Sequence, residues 1–137
     1  MMGSPSDFWQ ILALDTGSSM LEQSMLTYTT GFGQLVSVPR VMWVLRGPTT
    51  VVVDTSVPRQ GSAAEFIGED FSRSAGQDPA NALSAAGVNP ADVEFVLLTH
   101  LHWDHAGNCG LFADARVLVQ KAELRYGMAP GRFPGIC

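Results

Sequence analysis

The chain has 137 residues, of which 46% are apolar and 15% are charged, and its formal net charge is −5. This length predicts one domain, and this composition excludes intrinsic disorder. An acidic chain offers no basic surface to nucleic acid or to an anionic membrane, and no apolar run approaches the roughly 18 residues of a membrane helix. We therefore expect a small-molecule partner, with no nucleic acid and no membrane.

The N-terminal segment and the cysteines together predict a cytoplasmic protein. Residues 1–10 carry no Lys or Arg, and no long apolar segment with a small-residue cleavage site follows them. Two cysteines, Cys109 and Cys137, are too few for a disulfide scaffold and fit free thiols in a reducing compartment.

Short apolar runs in the first half of the chain predict strands. Residues 10–14 form one candidate that ends at the turn-forming sequence 15–18, and residues 35–38 form another before Pro39. Two further runs, separated by Arg-Gly-Pro, predict a hairpin of two buried strands over residues 41–45 and 49–53. The polar segment 61–76 predicts a loop with one short helix around residues 63–67.

The second half of the chain alternates between helix and strand signals. Asp78 is a good N-cap, Pro79 suits a first helical turn and Gly87 ends the pattern, so residues 80–86 predict a short helix. The near-continuous apolar run 93–98 predicts a strand covered on both faces. Another strand over 115–119 and the start of a helix over 121–126 follow. This alternation predicts the α/β class, an α+β layered domain.

All three histidines lie within residues 99–108, Thr-His-Leu-His-Trp-Asp-His-Ala-Gly-Asn, directly after the predicted strand. Imidazole and carboxylate are the usual ligands of Zn²⁺ in catalytic sites. His100 and His102 could bind one ion from an extended start to the loop, and Asp104 and His105 would face a second ion as the backbone turns. Four such groups predict a two-metal site; the alternative is a solvent-facing loop whose histidines cluster by accident.

The same ten residues resemble the signature loop of the metallo-β-lactamase superfamily of hydrolases. Residues 51–55 resemble that superfamily's early strand ending in a buried aspartate, and residues 92–98 resemble the strand before the metal loop. Several short features are similar to the N-acyl-homoserine lactonase-like branch, namely residues 87–90, Trp103, Asn108 and residues 120–124. The resemblance covers roughly residues 41–126.

The resemblance implies an αββα sandwich with two zinc ions, or other divalent metals, at one edge between the sheets. His100 and His102 would bind the first ion and Asp104 and His105 the second, and a hydroxide bridging the ions would attack a carbonyl. Asp104 would also orient that hydroxide or receive its proton. Asp54 would accept a hydrogen bond that fixes the loop; the alternative is a turn aspartate after a strand.

The resemblance also implies ligands further along the chain than this sequence reaches. No histidine follows His105, and Asp114 is the one aspartate after it. Residues 1–137 therefore resemble the N-terminal half of a single, incomplete domain, and Tyr126 lies too near the motif to serve as the branch's downstream tyrosine. We expect weak metal binding by this half alone. The strands around Val51 and Val96 are expected to expose an apolar face that a partner chain or a second copy, as in a homodimer, could bury.

Two classes of function remain open. The first is a metal-dependent hydrolase of a lactone or related ester, with N-acyl-homoserine lactone favoured by resemblance and a glyoxalase II-like thioester as the other substrate class. The second is a truncated, non-catalytic member of the fold.

Other residues have two interpretations each. Trp103 could line a substrate pocket or pack in the core. Cys109 is expected to be a small buried thiol, with zinc ligation as the alternative. A group of large apolar residues could shape an entrance for an acyl chain or belong to the core: Met20, Met25, Met42, Phe32 and Trp43.

Overall fold

The computed structural model describes residues 8–58 and 70–129. Their six strands are β1 (Gln10–Glu22), β2 (Leu35–Arg46), β3 (Thr50–Val53), β4 (Asp70–Ser72), β5 (Phe95–Leu98) and β6 (Arg116–Val119). The α-helices are α1 (Pro79–Ala85), α2 (Trp103–Ala106) and α3 (Lys121–Met128), with 3-10 turns at Gln23–Met25, Ala75–Gln77, Pro90–Asp92 and Cys109–Leu111. Within these residues, each helix falls short of the length and hydropathy that a bilayer crossing requires.

The six strands form one mixed sheet in the order β4-β1-β2-β3-β5-β6. Strands β4, β1, β2 and β3 pair antiparallel, whereas β3, β5 and β6 pair parallel. The predicted α/β layering is confirmed. Because parallel strands have their carboxyl ends at one edge of a sheet, the residues that follow β3 and β5 meet there.

One face of the sheet carries the hydrophobic core. Val44, Val52 and Val96 are opposite one another on neighbouring strands and have no exposed surface. Leu83 of α1 packs against them. Each buried aliphatic side chain of this size contributes about 1.5–3 kcal/mol, so this face holds the sheet and helix together. The complete cluster is Met42, Val44, Val52, Leu83, Val88, Val93, Val96, Leu98 and Phe112.

Helix α1 begins and ends within one residue of the predicted range 80–86. The Asp78 carboxylate accepts a hydrogen bond from the Ala80 N–H at 3.0 Å, and Pro79 occupies the first turn. Gly87 follows with φ of +67°, the left-handed conformation that ends many helices. These local signals were sufficient to define the helix: Asp78 and Gly87 pair backbone groups at its two ends, and Pro79 has a φ suited to the first turn and no N–H to leave unpaired.

The opposite face of the sheet is open within the described residues. Trp43, Val53, Leu97 and Leu118 are opposite one another on β2, β3, β5 and β6. Leu97 is 42% exposed, so the prediction of a strand covered on both faces is wrong. The strands that contain Val51 and Val96 do expose an apolar face, as expected; on β5 the exposed residue is Leu97, whereas Val96 is fully buried.

Two predicted strand ends are wrong for a common reason. β1 continues through residues 15–18, and β2 continues through Pro39 as far as Arg46. The register of the pair shifts between Asp15 and Ser18, and Ser18 is opposite Pro39. Gly17 has φ of +122° and lies at this bulge. The turn-forming residues therefore make a β-bulge inside a long hairpin rather than a chain reversal.

Several smaller predictions also change. The predicted loop 61–76 contains β4, and the predicted helix over 63–67 lies outside the described residues, as does Cys137. The predicted strand 93–98 begins only at Phe95 because a 3-10 turn precedes it. The apolar residues proposed to shape an entrance for an acyl chain do not form one surface, because Met42 lies in the core and Trp43 projects from the other face of the sheet.

Candidate metal centre

Two loops meet at the carboxyl edge of the parallel strands. The first follows β3 and contains Asp54 and Thr55; the second follows β5 and contains the three histidines. The Asp54 N–H donates to Leu97 O at 3.0 Å, and the Thr55 N–H donates to His105 O at 2.6 Å. Backbone pairing thus continues beyond the strands and fixes one loop against the other.

Asn108 holds the first loop in an unusual backbone conformation. Asp54 and Ser56 have φ of +58° and +66°, which costs non-glycine residues about 1–3 kcal/mol each. The buried Asn108 amide donates to Thr55 O at 2.6 Å and Val57 O at 2.8 Å, and its N–H donates to Thr55 Oγ1 at 3.0 Å. These bonds offset the strain and hold the loop shape.

Asp54 connects the strand ends to the histidine cluster. Its carboxylate accepts from the Thr99 N–H at 2.8 Å, from the Thr99 hydroxyl at 2.8 Å and from His105 Nδ1 at 2.8 Å. Burial acts to raise the pKa of this carboxyl, but the hydrogen bonds from His105 and Thr99 outweigh burial and hold the pKa below its usual value. Asp54 is therefore an anion that orients the His105 ring and leaves its Nε2 facing away.

The three imidazole rings lie against one another. His100 Nε2 and His102 Nδ1 are 2.9 Å apart, and the His100 and His105 ring centroids are separated by 3.9 Å. Burial, followed by the neighbouring His105 and His102, lowers the pKa of His100 below its usual value. His102 also lies at the start of α2, where its carbonyl accepts from the N–H groups of His105 and Ala106 at 2.9 Å. The short helix turns the backbone between the first two histidines and the third.

Asp104 lies between a histidine and an arginine. Its Oδ2 accepts from Arg40 Nη1 at 2.8 Å and lies 3.5 Å from His105 Nε2. Burial raises the pKa of the Asp104 carboxyl, but His105 and the Arg40 charge outweigh that effect and lower it. The nearby carboxylates of Asp104 and Asp54 in turn raise the pKa of His105 to about 9.

The imidazole nitrogens and carboxylate oxygens of this cluster are atom types that bind transition-metal ions, but they do not form a complete set of ligands. Two nitrogens bound tetrahedrally to zinc at about 2.0–2.1 Å are about 3.3 Å apart, so the His100 and His102 nitrogens need to separate only slightly. His105 Nε2 and Asp104 Oδ2 form a second pair of adjacent donors. Among residues 8–58 and 70–129, however, no three His, Cys, Asp or Glu side chains are arranged to hold one ion. The residues described therefore form two pairs of adjacent donors, His100 with His102 and Asp104 with His105.

Sequence reasoning missed two residues that support the cluster. Arg40 binds Asp104, and Glu123 of α3 accepts from the Leu101 N–H at 3.0 Å, which fixes the backbone between His100 and His102. The one available signal for Arg40 was a lone charge inside an apolar strand sequence. Trp103 is partly buried with the Arg40 guanidinium 5.8 Å from its ring centroid. Cys109 Sγ is 3.9 Å from Thr55 Oγ1.

The fold and this cluster define a class: an α/β protein that presents histidine and aspartate side chains from a loop at the carboxyl edge of parallel strands. Residues 38–137 match the family model of the metallo-beta-lactamase superfamily. The chain therefore belongs to the metallo-β-lactamase superfamily. Since the matched region includes β3, β5 and the histidine loop, the predicted family is confirmed.

Individual relatives agree with this assignment. The chain is 30% identical over 118 residues to an N-acyl homoserine lactonase from a Bacillus species, covering 78% of this chain and 46% of the relative. A variant of Bacillus thuringiensis AiiA with N-decanoyl-L-homoserine at its active site has a TM-score of 0.77 at 24% identity. An N-acyl homoserine lactone hydrolase with N-hexanoyl-L-homoserine at its catalytic metal centre has a TM-score of 0.76 at 24% identity. Both structural matches cover 90% of this chain and 53% of the other.

These similarities confirm the predicted metallo-β-lactamase fold and the resemblance to the lactonase-like branch. The chain spans about half the length of the curated relatives it matches.

Proposed function

We propose that this chain is the N-terminal portion of a single-domain, zinc-dependent hydrolase that opens lactone rings, with N-acyl-homoserine lactones as the substrate class. The observation that carries this proposal is the pairing of His100 with His102 and of Asp104 with His105 on one loop. The similarity to N-acyl homoserine lactonases over 78% of the chain supports the choice of substrate. The remaining metal ligands would come from sequence beyond this half.

Each residue of the cluster has a defined task in this proposal. His100 and His102 hold one zinc ion, Asp104 and His105 hold the other, and Asp54 keeps the His105 ring oriented through Nδ1. When bound, the two ions would polarise the substrate carbonyl and lower the pKa of water to near neutrality. Asp104 is the catalytic carboxylate, placed to orient the attacking water or receive its proton.

The first test is the metal content of the purified full-length protein, meaning residues 1–137 together with the sequence proposed to supply the remaining ligands. It is measured by elemental analysis after dialysis against metal-free buffer. We expect close to two zinc ions per chain and hydrolysis of an N-acyl-homoserine lactone. His102→Ala and Asp104→Ala should each abolish hydrolysis while expression stays unchanged. Asp114→Asn is the matched control, because Asp114 is an exposed aspartate ten residues after Asp104. Full activity in both cluster variants would contradict the proposal.

A non-catalytic member of the fold is the second candidate. It is favoured by the absence, among the residues that the structure describes, of three side chains arranged for one ion. The same measurement separates the two candidates. Metal content near zero and no hydrolysis of lactone or thioester in the full-length protein would favour the non-catalytic role, whereas turnover of a thioester alone would replace the lactone by that substrate class.

A further inference from the structure

Arg40 is a charged residue in the interior of a largely apolar strand. It follows Pro39 in β2, opposite the bulge that interrupts the β1–β2 register between Asp15 and Ser18. The Thr16 hydroxyl of that bulge donates to the Arg40 carbonyl at 2.7 Å and hydrogen-bonds to Ser56 Oγ at 2.6 Å. β-Bulges commonly redirect a side chain next to an active site. The backbone of Arg40 is therefore fixed from both β1 and the loop after β3.

The Arg40 guanidinium connects strand β1 to the histidine loop. Nε and Nη2 donate to the buried Ser19 hydroxyl at 3.3 and 3.1 Å, and Nη1 donates to Asp104 Oδ2 at 2.8 Å. A planar guanidinium can make these contacts together, whereas a lysine ammonium presents a single compact charge. The ion pair is 15% exposed at Arg40 and 12% at Asp104, compared with 69% and 50% in the surface pair of Arg116 and Glu94.

This burial gives the ion pair a consequence that a surface pair lacks. A buried carboxylate without a cation is unfavourable, so Arg40 maintains Asp104 as an oriented anion inside the cluster. The ion pairs of Asp104 with Arg40 and with His105 both use Oδ2. Arg40 therefore fixes the same carboxylate oxygen that lies beside His105 Nε2.

We propose that Arg40 is a positioning residue of the metal centre, which fixes the Asp104 carboxylate beside His105 so that these two side chains would together hold the second metal ion. This proposal rests on the two-metal function proposed above and adds a residue to it. In this proposal Arg40 acts through Asp104, to which its guanidinium donates, and is not itself a metal ligand. It determines the affinity of the ion bound by Asp104 and His105, and the ion bound by His100 and His102 is insensitive to it.

The test is a titration of the metal-free full-length protein with cobalt, monitored by visible absorbance. The same titration is carried out on the variants Arg40→Gln and Arg40→Lys. We expect two binding steps in the unmodified protein. Arg40→Gln should weaken one step about 10–100-fold and leave the other unchanged, because residues that orient ligands commonly have effects of this size. Arg40→Lys should keep part of the affinity, and guanidinium ion added to Arg40→Gln should restore part of it.

Two further variants keep the test decisive if Arg40→Gln folds poorly. In a protein that already carries Asp104→Asn, the additional change Arg40→Gln should not weaken the affected binding step any further. The double variant is also less prone to misfold, because both side chains are neutral and neither is a buried charge without a partner. Arg116→Gln, which breaks the surface ion pair, should bind both ions as the unmodified protein does. Equal affinities for both steps in Arg40→Gln, or additive effects of the two changes, would overturn the role of Arg40. An unmodified protein that binds no cobalt would overturn the proposed function itself.

Discussion

The histidine loop and the tip of the β1–β2 hairpin are both connections between strands, but they are held in opposite ways. In the hairpin tip, which spans residues 23–34, the backbone bonds run within the tip itself, as from Gln23 N–H to Gln34 O at 2.8 Å. In the histidine loop, the bonds reach Arg40, Asp54 and Glu123, which are 22 to 64 residues away. The histidine loop is therefore constrained by the whole fold.

Exposure shows the same contrast. The hairpin tip leaves large apolar side chains in solvent, with Tyr28 93% exposed and Met25 and Phe32 each above 70%. The histidine loop and its partners bury polar groups instead, among them Asp54, Thr55 and Asn108. Buried polar groups are costly unless hydrogen-bonded, so a change in the histidine loop has consequences that a change in the tip does not.

The largest effect is expected from Asp54→Ala. This change removes the acceptor of the Thr99 and His105 bonds and leaves His105 without its buried partner, which should cost about 3 kcal/mol of unfolding free energy. Metal affinity should fall about 10–100-fold. Asp54→Asn keeps one acceptor oxygen and tolerates positive φ, so its losses should be smaller. Urea unfolding and metal titration of both variants measure this, and unchanged values would reduce Asp54 to a turn residue.

Gly107→Ala should be the next largest. A Cβ at Gly107 would overlap the Pro58 ring and lie 2.6 Å from the Pro58 nitrogen, which is backbone and cannot rotate away. Such overpacking costs about 1–3 kcal/mol. Gly110→Ala is the matched control, because among the described residues no atom outside its chain neighbours lies within 4 Å of its Cβ position. Equal unfolding midpoints for the two variants would show that the two loops do not pack as described.

A pH-dependent effect should follow from His105. Its pKa is raised to about 9, above the value near 6.5 of an unfolded histidine. The metal-free protein should therefore hold this stabilisation fully below pH 6.5 and lose it as the pH rises through 9. Thermal unfolding of metal-free protein at pH 6 and pH 9 measures the difference, and His105→Gln should reduce it. A melting temperature that rises over this interval in the unmodified protein and not in His105→Gln would contradict the expectation.

The smallest effect is expected at the hairpin tip. Tyr28→Ser removes a side chain that is almost entirely in solvent, so the unfolding free energy should change by no more than about 0.5 kcal/mol. Metal affinity should be unchanged as well. A loss comparable with that of Gly107→Ala would mean that the tip is packed against another surface, and size-exclusion chromatography of the variant would then test for a second copy.

Local sequence was enough to predict most elements and the cluster itself. Helix α1 was predictable because Asp78, Pro79 and Gly87 each act within a few residues, and the histidine loop because its donors are adjacent in sequence. The full lengths of β1 and β2 could not be predicted in this way. Gly17 and Pro39 favour turns in isolation, but strand pairing places them together inside the long hairpin. Arg40 and Glu123 were missed because their partners are 22 or more residues away, and a single sequence carries no signal for that proximity.

The strained loop after β3 has a consequence for how the protein acquires its site during folding. Asp54 and Ser56 have positive φ values in a loop that is held by Asn108, more than 50 residues later in the chain. Contacts of such high sequence separation form late, because closing a long chain segment costs entropy before any bond compensates for it. We therefore expect the proposed metal site to be completed only with the last cooperative step of folding. The time at which a cobalt absorbance band appears during refolding would measure when this half of the fold is complete.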